Sequence, residues 1–192
     1  MYENTLTPQL RPECQFSRRR AKVGLGAEVL LADQEFPDVP PYFWRFLVAD
    51  DPSVHYFLCR DADCRLSVQE RELVNQWIES GRKFHVVRDH VLHDDLILAG
   101  MWGGVGTRDL RIRELMAKYF DGRPTSKYGH DQIFLRKMMW PFLRQSVFVH
   151  DRYYWTPGVK SHRHKFDFAF GAGHQKDAEV IAEAINLGLI KA

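Results

Sequence analysis

The absences in this chain narrow the field first. It has three cysteines, Cys14, Cys59 and Cys64, in 192 residues. Their number is odd, and their spacing is that of neither a zinc site nor a redox pair. A reducing compartment is the expectation, and nothing suggests a disulfide-stapled scaffold. No apolar run approaches the length of a membrane-spanning helix. The polar first residues lead into no apolar core of the kind a signal peptide needs, so the expected location is cytoplasmic. Internal repeats and low-complexity tracts are missing. Neither sign of charge dominates. The formal net charge is +2, and the one basic cluster, Arg18-Arg19-Arg20 with Lys22, is short. Nucleic acid and membrane surfaces are therefore not expected partners.

What remains is an ordinary globular composition, 45% apolar and 27% charged. The length suits one domain over residues 1–192, with 1–22 irregular. Glu28 to Ala32 is a short apolar stretch, and Pro37, Pro40 and Pro41 make a rigid loop. Tyr42 to Val48 is aromatic and reads as buried. His55 to Arg60 reads as a strand. Ser67 and Glu70 form a capping box that opens a helix with Val74, Trp77 and Ile78 on one face, closed by Gly81. Phe84 to Val87 and Val147 to Val149 read as strands. Leu96 to Met101 is an apolar segment broken by Trp102-Gly103-Gly104. Helices are expected over Leu110–Tyr119, Asp131–Met139 and Ala178–Leu187, the second ending before Pro141. Strands alternating with helices predict an α/β domain with a mainly parallel central sheet flanked by helices.

The segment Arg60-Asp61-Ala62-Asp63-Cys64-Arg65 carries the first chemical signal. In extended chain, residues i and i+2 point the same way. Asp61 and Asp63 are thus placed to converge on a hard cation, Mn²⁺ or Mg²⁺. Their position at the C-terminal end of a strand is where open α/β sheets bind ligands. The bland reading is a polar turn capped by its own side chains. Four further segments end or open an apolar element in the same way. They are Arg88-Asp89-His90, Ala99 to Gly104, Gly129-His130-Asp131-Gln132, and His150-Asp151. One sheet edge could collect them all.

In this order the segments resemble the GT-A glycosyltransferases. More closely, they are similar to bacterial and viral proteins carrying Arg-Asp-x-Asp-x-Arg, a Trp-Ile helix, His-x-x-Arg-Asp-His, Gly-x-Trp-Gly, Asp-Gln-x-x-Leu and His-Asp. Those motifs stand here at Arg60 to Arg65, Trp77-Ile78, His85 to His90, Gly100 to Gly103, Asp131 to Leu135, and His150-Asp151. The resemblance implies a GT-A-like sheet, shortened on its N-terminal side, since the chain preceding the Asp-x-Asp is brief. It implies transfer of a sugar from a nucleotide-sugar donor to a glycan or other acceptor, with a lean toward retention of configuration. By the same resemblance, Asp61, Asp63 and His150 would hold Mn²⁺ or Mg²⁺. Asp131 and Gln132 would act at the reacting sugar. Arg60, Arg65, Arg88, Gly100, Trp102 and Gly103 would bind substrate. Elementary chemistry suits those roles. A departing diphosphate needs charge neutralisation, and glycine lets backbone approach a sugar ring.

Two other readings stand beside this one. Asp89, His90 and His93 are of metal-ligand type and could serve a metal-dependent hydrolase. A non-catalytic relative could keep only a sugar-binding surface.

Overall fold

The computed structural model describes residues 20–22, 28–30, 36–37, 39–62, 64, 66–106, 110–120, 129–154, 156, 158–159, 161–163 and 182. Asp63 and Arg65 lie outside that set, as does the helix expected over Ala178–Leu187 apart from Ala182. The chain divides into two compact units, Met1–Pro41 and Tyr42–Ala192. The described part of the first includes an antiparallel strand pair, β1 (Arg20–Lys22) and β2 (Glu28–Leu30), with Ala21 opposite Val29.

The second unit holds a five-stranded sheet. In chain order its strands are β3 (Tyr56–Arg60), β4 (Phe84–Arg88), β5 (Met101–Val105), β6 (Val147–Asp151) and β7 (Ser161–Arg163). They lie side by side in the order β3-β5-β4-β6-β7. The sheet is mixed, which corrects the mainly parallel expectation. The β4–β6 and β6–β7 pairings are parallel, while β5 runs antiparallel to both β3 and β4. The cause is the connection. A parallel neighbour needs a crossover, usually helical, whereas residues 89–100 form a loop with no helix. The strand over Trp102-Gly103-Gly104 also overturns the break expected there.

One consequence decides where a site can form. Because β5 alone is reversed, β3, β4, β6 and β7 all point the same way. The ends of β3, β4 and β6 therefore share an edge with the start of β5.

Alternation along the strands sorts side chains onto two faces. One carries Phe57, Cys59, Trp102, Phe84, Val86 and Val149, as the register requires. It is covered by aromatic rings. A 3₁₀ helix over Pro41–Asp50 buries Phe43 and Phe46. Phe46 meets Trp102 edge-on at 5.7 Å, and Phe134 contacts both Phe43 and Phe46. The other face carries Tyr56, His85, Val87, Met101 and His150. Helix α1 (Val68–Glu79) covers it with Leu73 and Trp77, and Trp77 stacks on His85 at 5.3 Å. The buried stripe is thus Leu73 and Trp77, with Ile78 40% exposed. The stripe expected through Ile78 is rotated away from the sheet.

Two further helices frame the edge. Helix α2 (Ile112–Phe120) is capped from a distance, because the Asp50 carboxylate accepts the Ile112 and Arg113 amides at 2.9 and 3.0 Å. Helix α3 (His130–Phe134) starts after Gly129, whose φ of 80° suits glycine. It passes through a π-helical turn at Leu135–Met139 and continues as α4 (Trp140–Leu143). Pro141 therefore does not end the helix, as its position suggested. It sits in the first turn of α4, where its missing amide costs little.

Candidate functional site

The shared edge opens into a cavity of about 560 Å³ in the unit Tyr42–Ala192. That is within the range of small-molecule sites. The 3₁₀ helix supplies Tyr42 and Arg45, and the end of β3 supplies Asp61. The loop before β5 supplies His93 and Leu98 through Gly100, and β5 itself begins with Met101. The start of α3 supplies Gly129, Asp131 and Gln132. Four residues expected at the site, Asp61, Gly100, Asp131 and Gln132, are brought together here from three distant segments.

Local bonding gives each wall its character. Asp61, half exposed, accepts from the Arg45 guanidinium at 2.5 Å. The backbone of Gly100 packs against that carboxylate. A Cβ built on Gly100 would lie 2.3 Å from Asp61 Oδ2. The missing Cβ at Gly100 leaves room for the Asp61 carboxylate. Asp131 Oδ1 caps the start of α3 by accepting the Gln132 amide at 2.9 Å. The Oε1 of Gln132 is buried and accepts no hydrogen bond from a described residue. Burial, then Asp131 and Tyr119, raise the Tyr42 hydroxyl above its usual pKa. Across the loop, His93 Nδ1 lies 2.9 Å from Oδ1 of the fully buried Asp89.

Of the other expected site residues, the described ones, Arg60, Arg88, Trp102, Gly103 and His150, lie elsewhere, and each departure has a packing cause. Trp102 is fully buried between Phe46 and Phe57, so it walls no sugar site. Gly103 is inside the sheet, paired with Leu58. A Cβ there would meet the Phe57 carbonyl oxygen at 2.5 Å. Arg60 turns onto α1, pairing with Glu70 and donating to the Trp102 carbonyl at 3.1 Å. Glu70 is therefore drawn to Arg60. Only the Ser67 half of the capping box forms, with the Glu70 amide donating to Ser67 Oγ at 3.0 Å. Arg88 is buried and held bidentate by Asp151 at 2.8 and 2.5 Å, with Thr156 Oγ1 as a further acceptor. It is a clamp between β4 and β6 and does not reach the cavity.

His150 is the clearest correction. It is 1% exposed and lies on the α1 face. Its Nδ1 meets His85 Nε2 at 2.9 Å, and its Nε2 meets Gln76 Oε1 at 3.1 Å. Both ring nitrogens are occupied by protein, so no lone pair is left for a metal. Among the described residues, no group of three or more His, Cys, Asp or Glu side chains could hold an ion. Asp61 already has a cation beside it in Arg45. The described residues thus do not fit the expected metal centre, and Asp63 lies outside them. The same holds for the hydrolase cluster. His90 is buried with Nδ1 accepting the Leu92 amide at 3.1 Å.

Sequence reading missed Arg45 and Tyr42 as cavity residues. Arg45 left one signal, as the only charge in the aromatic run Tyr42 to Val48. Cys59 offers no chemistry, because burial pushes its thiol up to about 12. No helix among the described residues is long and apolar enough to cross a membrane. No family model matches the chain, and neither a curated protein nor a solved structure does.

Proposed function

We propose that the chain transfers a sugar from a nucleotide-sugar donor, with the cavity at the sheet edge as its reaction site. One observation carries the reading. Asp61, Gly100, Asp131 and Gln132, scattered through the sequence, line one cavity of donor-sugar size. In this reading Asp131 accepts a hydroxyl group of the sugar, and Gln132 lines the same wall. Arg45 offers its guanidinium to the diphosphate, whose negative charge grows as it leaves. Asp61 holds Arg45 until the donor arrives. A requirement for Mn²⁺ or Mg²⁺ would rest on Asp61 together with Asp63.

The test is a thermal-shift screen with UDP-glucose, UDP-galactose and GDP-mannose, with and without Mn²⁺. A ligand that binds only the folded chain raises its Tm by mass action. At least one donor should raise Tm, and Asp131→Asn should remove most of that rise. Failure of every donor to shift Tm would overturn the reading, as would an unchanged shift in Asp131→Asn. A donor that binds but is neither transferred nor hydrolysed would favour the non-catalytic relative.

A further inference from the structure

Asp89 is fully buried, and its carboxylate bonds a side chain that reaches the cavity. It follows directly on Arg88, which Asp151 clamps from the neighbouring strand. The backbone carrying Asp89 is therefore fixed. Four residues on, the His93 amide donates to the His90 carbonyl at 2.9 Å, closing a turn. That turn sets the His93 ring against Asp89, with Nδ1 and Oδ1 at 2.9 Å. A carboxylate only accepts, so Nδ1 carries the proton and Nε2 carries the lone pair. The His93 side chain is 18% exposed and lines the cavity beside Asp61 and Asp131. No described residue bonds its Nε2.

We propose that His93 is the proton acceptor of this site and that Asp89 is its positioning residue. The identity of the hydroxyl rests on the transferase reading above. As the acceptor oxygen bonds to the anomeric carbon, His93 Nε2 takes the hydroxyl proton. The bond between that carbon and the diphosphate oxygen breaks, and its electron pair leaves with the diphosphate. The resulting imidazolium is stabilised by Asp89 and returns its proton to water. The arrangement is that of a base oriented by a buried carboxylate.

The experiment uses the full chain and the donor that gives the largest thermal shift among UDP-glucose, UDP-galactose and GDP-mannose, with water as acceptor. His93→Gln should bind the donor as the wild type does and hydrolyse it roughly 10²- to 10⁴-fold more slowly. Asp89→Asn should slow the reaction while ¹⁵N ring spectra show His93 losing its Nδ1–H preference. Donor binding with unchanged turnover in His93→Gln would overturn the pair and leave the transferase reading standing. If no donor binds, the transferase reading falls. The pair is then judged by the spectra alone. The Nδ1–H form in wild type, lost in Asp89→Asn, supports it. The Nε2–H form in wild type, or no change in Asp89→Asn, overturns it.

Discussion

Gly100 lies just before β5 and Gly103 lies inside it, and the same added methyl group would meet different things. At Gly100 it meets the tip of the Asp61 side chain, half exposed and able to swing away. At Gly103 it meets the Phe57 carbonyl and Leu58, which are part of the sheet. The two positions stand for two regions. Polar or special residues within the strands, such as His150, Arg88, Arg60 and Gly103, are consumed by packing between sheet and helices. Residues one step beyond the strand ends, such as Asp61 and Gly100, are left for the cavity, as is His93 in the loop after β4. Position relative to the strand end, more than residue type, separates structure from chemistry here.

The sharpest break of that comparison is in the strand interior. Arg88→Ala leaves the Asp151 carboxylate buried without its guanidinium. Removing one partner of a buried pair costs about 3–5 kcal/mol. Urea denaturation should show a loss of that size, with little left folded if the parent is of ordinary stability. A loss below about 1 kcal/mol would mean that the pair is not the interior clamp its burial implies. Gly103→Ala comes next. Overpacking against backbone costs about 1–3 kcal/mol. The same denaturation series should place it clearly above Gly100→Ala.

How much of this was readable in advance follows the same division. Strands β3, β4 and β6 are found within one or two residues of their expected bounds, because apolar runs this short, bounded by polar and turn residues, have the length of buried strands. The convergence of Asp61, Gly100, Asp131 and Gln132 was also anticipated. It required only that each stand at an element end and that the ends share an edge. The direction of β5 was not readable. Glycine-rich sequence argues against a strand, and only the helix-free connection forces the antiparallel turn. The fate of His150 and Arg88 was hidden because it depends on partners far away in sequence, Gln76 and His85 for one and Asp151 and Thr156 for the other. Arg45 reaches Asp61 by folding of a separate helix, which no local pattern announces.

The buried histidines make a smaller, pH-dependent test of the interior region. His85 is fully buried, and it faces His150, Arg60 and the Trp77 ring. Burial, then His150 and Arg60, lower its pKa well below the ordinary 6.5. The unfolded chain gains a proton near that ordinary value while the folded chain stays neutral. Stability from neutral His85 is therefore full above about pH 6.5. It declines as pH falls below that value, with a slope of up to ~1.4 kcal/mol per unit. Denaturation midpoints at pH 7.5 and 5.5 measure this. The slope should flatten in His85→Gln, which can still donate to His150. An equal slope in the variant would assign the effect to other groups.

The mildest change is Gly100→Ala, and it separates the two regions most cleanly. The new methyl group displaces Asp61 and with it the Arg45 contact. An ion pair this exposed contributes only about 0–1 kcal/mol, so stability should barely move. Ligand binding should suffer instead, since both Asp61 and Arg45 line the cavity. The expected signature is a near-native urea midpoint with a loss of most of the donor-induced Tm shift. Asp61→Ala in the same background should restore any lost stability but not the Tm shift, because the clash is gone while the carboxylate is still missing. If Gly100→Ala destabilises as much as Gly103→Ala, both glycines belong to the packed interior. The division at the strand end would then be drawn in the wrong place.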